Sequence, residues 1–284
     1  MIRHPIFVVG MPRSGTTLFS SILDAHPDIA ISPETHFYTR CRNREGGTQG
    51  ASLEDVWRCL RQQPGIRDMA FSDEEIQRIG KRIRAARDDA PGEVLRALET
   101  TYAERTNAGA WGEKTPDHLK HVPDILHDFP DAVVVAIVRD PRDVCLSLRG
   151  MPWNYDSLPE SAWKWRRYAR LTERFRREYS AQFREVRYED LLEEPERIVR
   201  EILEWMGASF DPAVLAYHQR EAETAAPRGS RVRCAAARIV AAPLLLRAVG
   251  LLSNRLPNLL VGEGIDALPV GTVVYAPTPP FSPS

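Results

Sequence analysis

Short apolar runs alternate along the chain with segments in which apolar residues recur at helical spacing. The runs at 6–9 and 133–138 contain β-branched, aromatic and other apolar residues, and such runs are typical of strands buried on both faces of a parallel sheet. Shorter strands are predicted at 29–31 and 185–188. Helical segments follow the strands, and this alternation favours an α/β fold with a central parallel sheet flanked by helices.

The helices are predicted from apolar residues that fall on one face and from the residues that end such patterns. The first covers 17–25, where His26 and Pro27 close the pattern. Further helices are predicted at 53–62, 73–87, 92–106, 141–149, about 160–179 and 195–206. Gly207 follows the last of these as a C-terminal stop.

Length and composition point to one globular domain. The 284 residues suit one large domain with insertions, and 43% hydrophobic with 27% charged residues is ordinary globular usage. We predict a single domain at 1–266 with a helical insertion at about 39–107. The last 18 residues, 267–284, contain five prolines, so a loosely held tail is expected there.

Charge and cysteine content exclude several classes of protein. The 38 basic and 39 acidic residues give a net charge of −1, so the basic face that binds nucleic acid is not expected. The four cysteines show no metal-finger spacing and do not amount to a disulfide scaffold, which favours a reduced, cytoplasmic compartment. Neither a signal peptide nor a spanning helix is expected.

The apolar stretch at 239–260 is expected to pack on the sheet, with contact to a membrane surface as the alternative.

The clearest chemical motif follows the first predicted strand. Residues 10–17 have the frame of the phosphate loop G-x-x-x-x-G-K-[ST], with Thr16 at the position of the lysine. Backbone N–H groups, a helix N-terminus and hydroxyl groups remain available for an anion. The residues predicted to bind it are Arg13, Ser14, Gly15, Thr16 and Thr17. The loop is suited to hold a phosphate but poorly equipped to hydrolyse ATP or GTP; a tight turn without a ligand is the structural alternative.

This loop resembles the 5′-phosphosulfate loop of the sulfotransferases that use 3′-phosphoadenosine 5′-phosphosulfate (PAPS). The resemblance covers 5–38, resumes at 111–116, 131–148 and 186–207, and is strongest to the branch of protein-tyrosine sulfotransferases and bacterial relatives. It implies a P-loop NTPase-like fold, PAPS as the donor, a hydroxyl-bearing acceptor and no metal ion. The insertion, expected on the acceptor side, is not matched.

The resemblance also implies a second anion site for the 3′-phosphate of the nucleotide. It assigns this phosphate to Arg139, which ends a predicted strand, and to Ser147 on the following helix. Tyr188 resembles the tyrosine on the adenine side, although a buried tyrosine at a strand end is the alternative. Arg228 and Gly229 are the candidates for the late cofactor loop.

The catalytic residues implied by the resemblance are Glu34, Lys114 and Arg13. Glu34 would be the base for the acceptor proton, while Lys114 and Arg13 would hold the sulfuryl group and the 5′-phosphate. Small-molecule members of the family carry a histidine base two residues after the lysine, where this chain has Pro116. As an alternative, Glu34 caps a helix that begins near Thr35.

Two histidines and two other functions remain open at this point. His36 and His118 are close enough along the chain to Glu34 and Lys114 to reach an acceptor, but surface or packing roles are the alternatives. A P-loop kinase is disfavoured by Thr16, and a non-catalytic nucleotide-binding module is the third reading. The sequence identifies neither the acceptor, which could be a small molecule, a glycan, a glycolipid or tyrosine, nor the oligomeric state.

Overall fold

The computed structural model describes residues 4–42, 52–86, 90–154 and 156–218. Five parallel strands form one sheet in the order β2-β3-β1-β4-β5. They are β1 (Ile6–Gly10), β2 (Ile29–Ser32), β3 (Ala110–Lys114), β4 (Val133–Val138) and β5 (Phe183–Arg187). The predicted α/β fold with a central parallel sheet is therefore confirmed.

Helices cover both faces of this sheet. They are α1 (Thr16–Asp24), α2 (Leu53–Arg61), α3 (Pro64–Asp68), α4 (Asp73–Arg84), α5 (Gly92–Arg105), α6 (Val122–Asp128), α7 (Pro141–Arg149), α8 (Leu158–Glu178), α9 (Tyr188–Glu193) and α10 (Pro195–Trp205). A π-helix spans Phe37–Arg42, and 3₁₀-helices span Pro116–His121 and Pro212–Ala216. The predicted helices are present, each within a few residues of its expected ends.

Among the described strands, β3 is the one that the apolar pattern did not predict; the short helices α3, α6 and α9 were not predicted either. The β3 sequence Ala-Trp-Gly-Glu-Lys contains a glycine and two charged residues, yet all five residues are buried. It lies between β1 and β2, so Glu113 and Lys114 reach the carboxyl edge of the sheet beside β1. Strand β5 also differs slightly from expectation, because Tyr188 begins α9 instead of ending the strand.

The core consists of two apolar layers, one on each face of the sheet. On one face Phe7, Trp111 and Phe129 form an aromatic group with ring centroids 5.4–5.9 Å apart. On the other face Phe19 and Leu203 are fully buried. Burial of each such side chain stabilises the fold by about 1.5–3 kcal/mol, so the sheet forms a rigid base for the loops at its edge.

A buried turn connects α1 to β2 and fixes where β2 begins. Asp24 Oδ1 accepts a hydrogen bond from Ile31 N at 2.8 Å, and His26 Nδ1 accepts one from Asp28 N at 3.1 Å. Because Nδ1 accepts, the other ring nitrogen of this neutral imidazole carries the proton and donates to Ser209 O at 2.9 Å. The turn thus sets the position of the residues that follow β2.

Helices α2 to α5 lie in the part of the chain where the insertion is predicted. Helix α4 begins with a capping box between Ser72 and Glu75. Arg105 on α5 donates two hydrogen bonds to Glu75, which lowers the pKa of Glu75 to about 2. Helix α5 packs on β2 and β3, so the insertion contributes to the cover of the sheet.

A disulfide between Cys41 and Cys59 joins the π-helix to α2, with Cα atoms 5.6 Å apart. The cysteine spacing alone did not predict this bridge. Closing a loop of this length stabilises a fold by about 3 kcal/mol in the chain-entropy account. Disulfides are typical of oxidising compartments, so the cysteines no longer support the predicted cytoplasmic location, which stays a prediction.

Several predictions fall on parts of the chain outside the described residues. These are the domain end at 266, the proline-rich tail at 267–284, the apolar stretch at 239–260, and Arg228 with Gly229. Among the helices of the described ranges, none combines the length and the hydropathy needed to cross a membrane.

Gly112, at the centre of β3, permits close packing of three strands. A Cβ atom there would lie 2.4 Å from Ile31 Cδ1 and 2.9 Å from Ile6 O. We expect Gly112→Ala to lower the free energy of unfolding by about 1–3 kcal/mol, the usual cost of overpacking a core. Urea denaturation of the purified variants measures this change.

Gly150→Ala is the matched control for this substitution. A Cβ atom at Gly150 would meet only Ser147 O, at 3.9 Å. The free energy of unfolding of Gly150→Ala should therefore stay within about 0.5 kcal/mol of wild type. Equal stability of the two variants would contradict the packing argument.

Candidate active site

The phosphate loop occupies the turn between β1 and α1, at the carboxyl edge of the sheet. Gly10 has φ 150° and packs so closely that a Cβ atom would lie 2.5 Å from Ile137 O. Gly15 has φ 97° and is the N-cap of α1. Left-handed backbone at these positions favours glycine, which explains why the loop has the predicted glycine spacing.

The N-terminus of α1 provides a place for an anion. Its first turn contains no acidic residue, so the partial positive charge of the helix end is not neutralised there. Ser14 and Thr16 are buried, whereas Thr17 is exposed. Thr17 therefore presents the loop hydroxyl that is open to a ligand.

Lys114, the last residue of β3, connects the loop to the candidate base. Its Nζ donates to Glu34 Oε1 at 2.6 Å and to Thr17 Oγ1 at 3.4 Å. The lysine residue is 8% exposed, while the Glu34 side chain is 36% exposed. The structure thus brings together three of the predicted residues, with the carboxylate facing solvent and the ammonium group shielded.

His36 lies on the other side of the same carboxylate. Its Nε2 is 3.5 Å from Glu34 Oε2. Burial and the nearby Arg40 lower the pKa of His36, although the Glu34 charge opposes this shift. The π-helix begins only at Phe37, so Glu34 does not cap a helix at Thr35 and its side chain points to Lys114 and His36 instead.

Gly65, near the start of α3, is a contributor that the sequence analysis missed. A Cβ atom at this position would lie 2.1 Å from Glu34 O and 2.9 Å from Glu34 C. Helix α3 therefore rests directly on the backbone of the candidate base. A single glycine in a helical insertion gives no pattern from which this contact could have been inferred.

His118 has a packing role. It is fully buried and hydrogen-bonds to Glu113 Oε2 at 2.8 Å and to the backbone N–H of Tyr38 at 3.2 Å. Both ring nitrogens are occupied by buried groups, so this histidine does not face an acceptor.

The second predicted anion site lies beside the phosphate loop. Arg13 Nε donates to Ser147 Oγ at 2.9 Å, and Arg139 Nη1 donates to the carbonyl oxygen of Arg13 at 3.3 Å. Arg139 Nη2 lies 3.5 Å from Asp143 Oδ2. Within the described residues, the buried Arg139 Nε has no hydrogen-bond partner, and a buried N–H of this kind is suited to receive a ligand oxygen.

Tyr188 is packed between Gly15 of the phosphate loop and Arg139. The Arg139 guanidinium lies 4.6 Å from the centroid of its ring. On the other side, a Cβ atom at Gly15 would come within 2.2 Å of Tyr188 Cδ2. Trp165 Nε1 also donates to Arg139 O at 2.9 Å, and this contact was not predicted, since it depends on how α8 packs against the residue that follows β4.

Arg13 contacts one of the residues predicted for the other anion site. Its role at the sulfuryl group and the 5′-phosphate is predicted beside Lys114, and in the structure its guanidinium donates to Ser147 Oγ. The catalytic and binding roles of these residues stay predictions. Among the described residues, no group of three or more His, Cys, Asp or Glu side chains is arranged to hold a metal ion.

Comparison with curated proteins identifies relatives of one kind. The chain is 26% identical over 220 residues to protein-tyrosine sulfotransferase 1 of Danio rerio, which covers 75% of this chain and 56% of that protein. It is 26% identical over 220 residues to protein-tyrosine sulfotransferase A of Caenorhabditis elegans, covering 75% and 52%. The aligned part of the chain thus spans about half the length of these relatives.

Solved structures share the fold. The sulfotransferase domain of the Synechococcus PCC 7002 olefin synthase matches with a TM-score of 0.54 and 25% identity over 76% of this chain and 78% of that one. The sulfotransferase domain from the curacin biosynthetic pathway matches with a TM-score of 0.52 and 20% identity, covering 77% and 78%. The model described as "Sulfotransferase family" matches residues 5–212, which include the whole sheet and both predicted anion sites, and the chain therefore belongs to the sulfotransferase family.

Proposed function

We propose that the chain transfers the sulfuryl group of PAPS to a hydroxyl group of an acceptor and releases 3′,5′-ADP. The observation that carries the proposal is the position of Lys114, 2.6 Å from Glu34 and 3.4 Å from Thr17. The loop lacks its own lysine at Thr16, and a cation from β3 lies between the loop and the base instead. Family membership also disfavours the alternatives of a kinase and of a non-catalytic module.

The geometry suits an in-line displacement. Glu34 accepts the hydroxyl proton, and the acceptor oxygen forms a bond to sulfur. The bond from sulfur to the bridging oxygen of the 5′-phosphate breaks, and that oxygen keeps the electron pair. Lys114 and the N-terminus of α1 neutralise the charge that develops there.

The second anion site distinguishes the nucleotide. Arg139 has a buried N–H without a partner among the described residues, and Ser147 adds a hydroxyl group that Arg13 holds in place. Together they are suited to a 3′-phosphate, because guanidinium and hydroxyl donors match phosphate oxygens. Tyr188 would contact the nucleoside between the two sites.

Tyrosine is the first acceptor class to test. The relatives with the name protein-tyrosine sulfotransferase match 75% of this chain. A phenol has a pKa of about 10, far below that of an aliphatic alcohol, so a carboxylate such as Glu34 is a sufficient base for it. The exposed Glu34 carboxylate is accessible to a side chain presented by a peptide.

The nucleotide preference is the direct test of the proposal. We expect 3′,5′-ADP to bind at least about tenfold more tightly than ADP, a difference of about 1.4 kcal/mol, because only the first carries the 3′-phosphate. Arg139→Ala should remove most of this difference. Isothermal titration calorimetry measures both affinities.

Arg142→Ala is the control for that titration. Arg142 is the second residue of α7, the helix that follows Arg139, but it is exposed and pairs with Asp140. Its loss should therefore leave the preference for 3′,5′-ADP over ADP intact. Equal affinity of the wild-type protein for ADP and 3′,5′-ADP would overturn the assignment of PAPS as donor.

The roles of Glu34 and Lys114 can be separated from binding. With PAPS and a tyrosine peptide, Glu34→Gln should lower kcat by about 10²–10⁴-fold, the usual contribution of a general base, with unchanged affinity for 3′,5′-ADP. Lys114→Ala should lower kcat by at least about 10²-fold. Mass spectrometry of the peptide, which gains one SO₃, provides the rates.

Lys120→Ala serves as the matched control for Lys114. Lys120 is exposed and pairs with Asp117, so kcat should not change. Wild-type kcat in Glu34→Gln would exclude this residue as the base.

Gly65→Ala tests the contact between the insertion and Glu34. The added methyl group must displace the Glu34 backbone, which lies 2.1 Å from its position. A displacement of this kind can lower kcat by about 10- to 100-fold, and we expect little change in the affinity for 3′,5′-ADP.

Gly80→Ala is the control for Gly65→Ala. The nearest atom to a Cβ at Gly80 is Arg84 Nη1 at 3.4 Å, so this variant should retain wild-type kcat. An equal effect of the two substitutions on kcat would refute the role of the contact between Gly65 and Glu34.

A further inference from the structure

The candidate base lies on a short segment between two fully buried carboxyl groups. This segment, 32–35, begins with the last residue of β2, leads toward the π-helix and carries Glu34, whose side chain is partly exposed. Glu99 of α5 contacts its first residue, Ser32, and Glu113 of β3 contacts its last, Thr35. Neither carboxyl group is exposed to solvent, and neither takes part in the proposed transfer.

Glu113 is bonded only by donors. Its Oε1 accepts from Thr35 N at 3.1 Å, from Thr35 Oγ1 at 2.9 Å and from Thr115 Oγ1. Its Oε2 lies 2.8 Å from His118 Nδ1. A group that accepts at both oxygens from four donors is a carboxylate.

His118 confirms this direction of hydrogen bonding. Its Nε2 accepts from the backbone N–H of Tyr38 at 3.2 Å, so Nε2 carries no proton. The proton of the neutral ring is therefore on Nδ1 and is donated to Glu113 Oε2. The buried pair is a hydrogen bond from a neutral imidazole to a carboxylate.

Glu99 has the opposite surroundings. Its Oε1 lies 2.8 Å from Ser32 Oγ, and within the described residues its Oε2 has no hydrogen-bond partner. Ser32 Oγ is also 3.3 Å from Pro33 O, which can only accept. The single hydroxyl proton of Ser32 cannot be donated to both Pro33 O and Glu99 Oε1. Both contacts are hydrogen bonds if Glu99 is protonated, because its carboxyl group then donates to Ser32 Oγ while Ser32 donates to Pro33 O.

Charge favours the same assignment. The titratable groups that face Glu99 are Glu113 on β3 and Tyr102 on α5. Burial and the Glu113 charge raise the pKa of Glu99 well above its ordinary value. Burial alone would raise the pKa of Glu113 too, whereas the hydrogen bonds that it accepts from His118, Thr115 and Thr35 act to lower it. Tyr102 remains neutral, because burial raises its pKa to about 12.

We propose that Glu99 and Glu113 are positioning residues that hold Glu34 against Lys114, Glu99 as a neutral hydrogen-bond donor and Glu113 as a carboxylate acceptor. Glu113 also precedes Lys114 on β3, so one buried group fixes both the base loop and the strand that carries the lysine. Ser32 and Glu113 are register partners in the sheet, which places both anchors at the end of β2. The proposal rests on the proposed function for its catalytic consequence, but the anchoring itself does not depend on it.

Glutamine distinguishes the two carboxyl groups, because it can replace a neutral donor but not an acceptor-only carboxylate. In Glu113→Gln one carboxylate oxygen becomes an NH2 group, which faces either the Thr35 N–H or His118 Nδ1–H, and both of these are donors. The other tautomer of His118 would set Nε2–H against the Tyr38 N–H. With PAPS and a tyrosine peptide, we expect Glu113→Gln to lower kcat by about 10- to 100-fold, without change in the affinity for 3′,5′-ADP. Glu99→Gln should stay within about twofold of wild type, the ordinary scatter of a neutral substitution. Equal kcat of the two variants, whether both high or both low, would overturn the proposal.

Thr35 provides a second pair of variants in case Glu113→Gln does not fold. Thr35→Val removes the hydroxyl donor to Glu113, whereas Thr35→Ser keeps it. We expect a loss of kcat of about tenfold or more in the first and rescue in the second. Similar kcat in both variants would contradict anchoring through Glu113.

The protonation of Glu99 can be measured without any acceptor. The infrared difference spectrum between wild type and Glu99→Gln should show the carbonyl band of a protonated carboxyl group at neutral pH. Absence of the band would overturn the proposal even if sulfuryl transfer is found. Presence of the band in a protein that transfers no sulfuryl group would instead leave the anchoring intact and refute the proposed function.

Thermal unfolding gives the same information through its pH dependence. Glu99 stays protonated in the folded chain but ionises in the unfolded chain above its ordinary pKa of about 4.3, so wild type loses stability as the pH rises. The midpoint of Glu99→Gln relative to wild type should therefore increase from about pH 5 to about pH 8. A constant difference would show that Glu99 is ionised in the folded protein.

Discussion

The contact between Lys114 and Glu34 determines how the rest of the site is arranged. The lysine ends β3 and the glutamate follows β2, and these strands are hydrogen-bonded neighbours. Because β3 also pairs with β1, the same ammonium group reaches Thr17 of the phosphate loop. One cation at the end of a strand therefore sets the distance between the phosphate loop and the candidate base.

The parts of the site that could be predicted are those with a local physical cause. The loop from Gly10 to Thr17 has its glycines and hydroxyls where a left-handed turn and a helix N-terminus require them. The resemblance then located Glu34, Lys114 and Arg139 by short motifs around each residue. The alternation of apolar runs and helical spacing was sufficient for the parallel sheet, because both patterns follow directly from burial.

The remaining features depend on tertiary contacts that leave no local signal. Strand β3 was missed because its charged residues break the apolar run, and their burial is explained only by partners elsewhere in the fold. Gly65 touches Glu34 through the packing of an insertion helix, and the contact of Arg13 with Ser147 joins residues far apart in sequence. The bridge between Cys41 and Cys59 likewise requires a particular placement of two helices.

The packing of Tyr188 between Gly15 and Arg139 has a consequence for selectivity. The rigid aromatic ring fixes the distance between Gly15, at the N-cap of α1, and the Arg139 guanidinium. Under the proposed function, a ligand that contacts both places needs two anionic groups at a matching separation. The distance between the anionic groups of a ligand then contributes to selectivity in addition to their total charge.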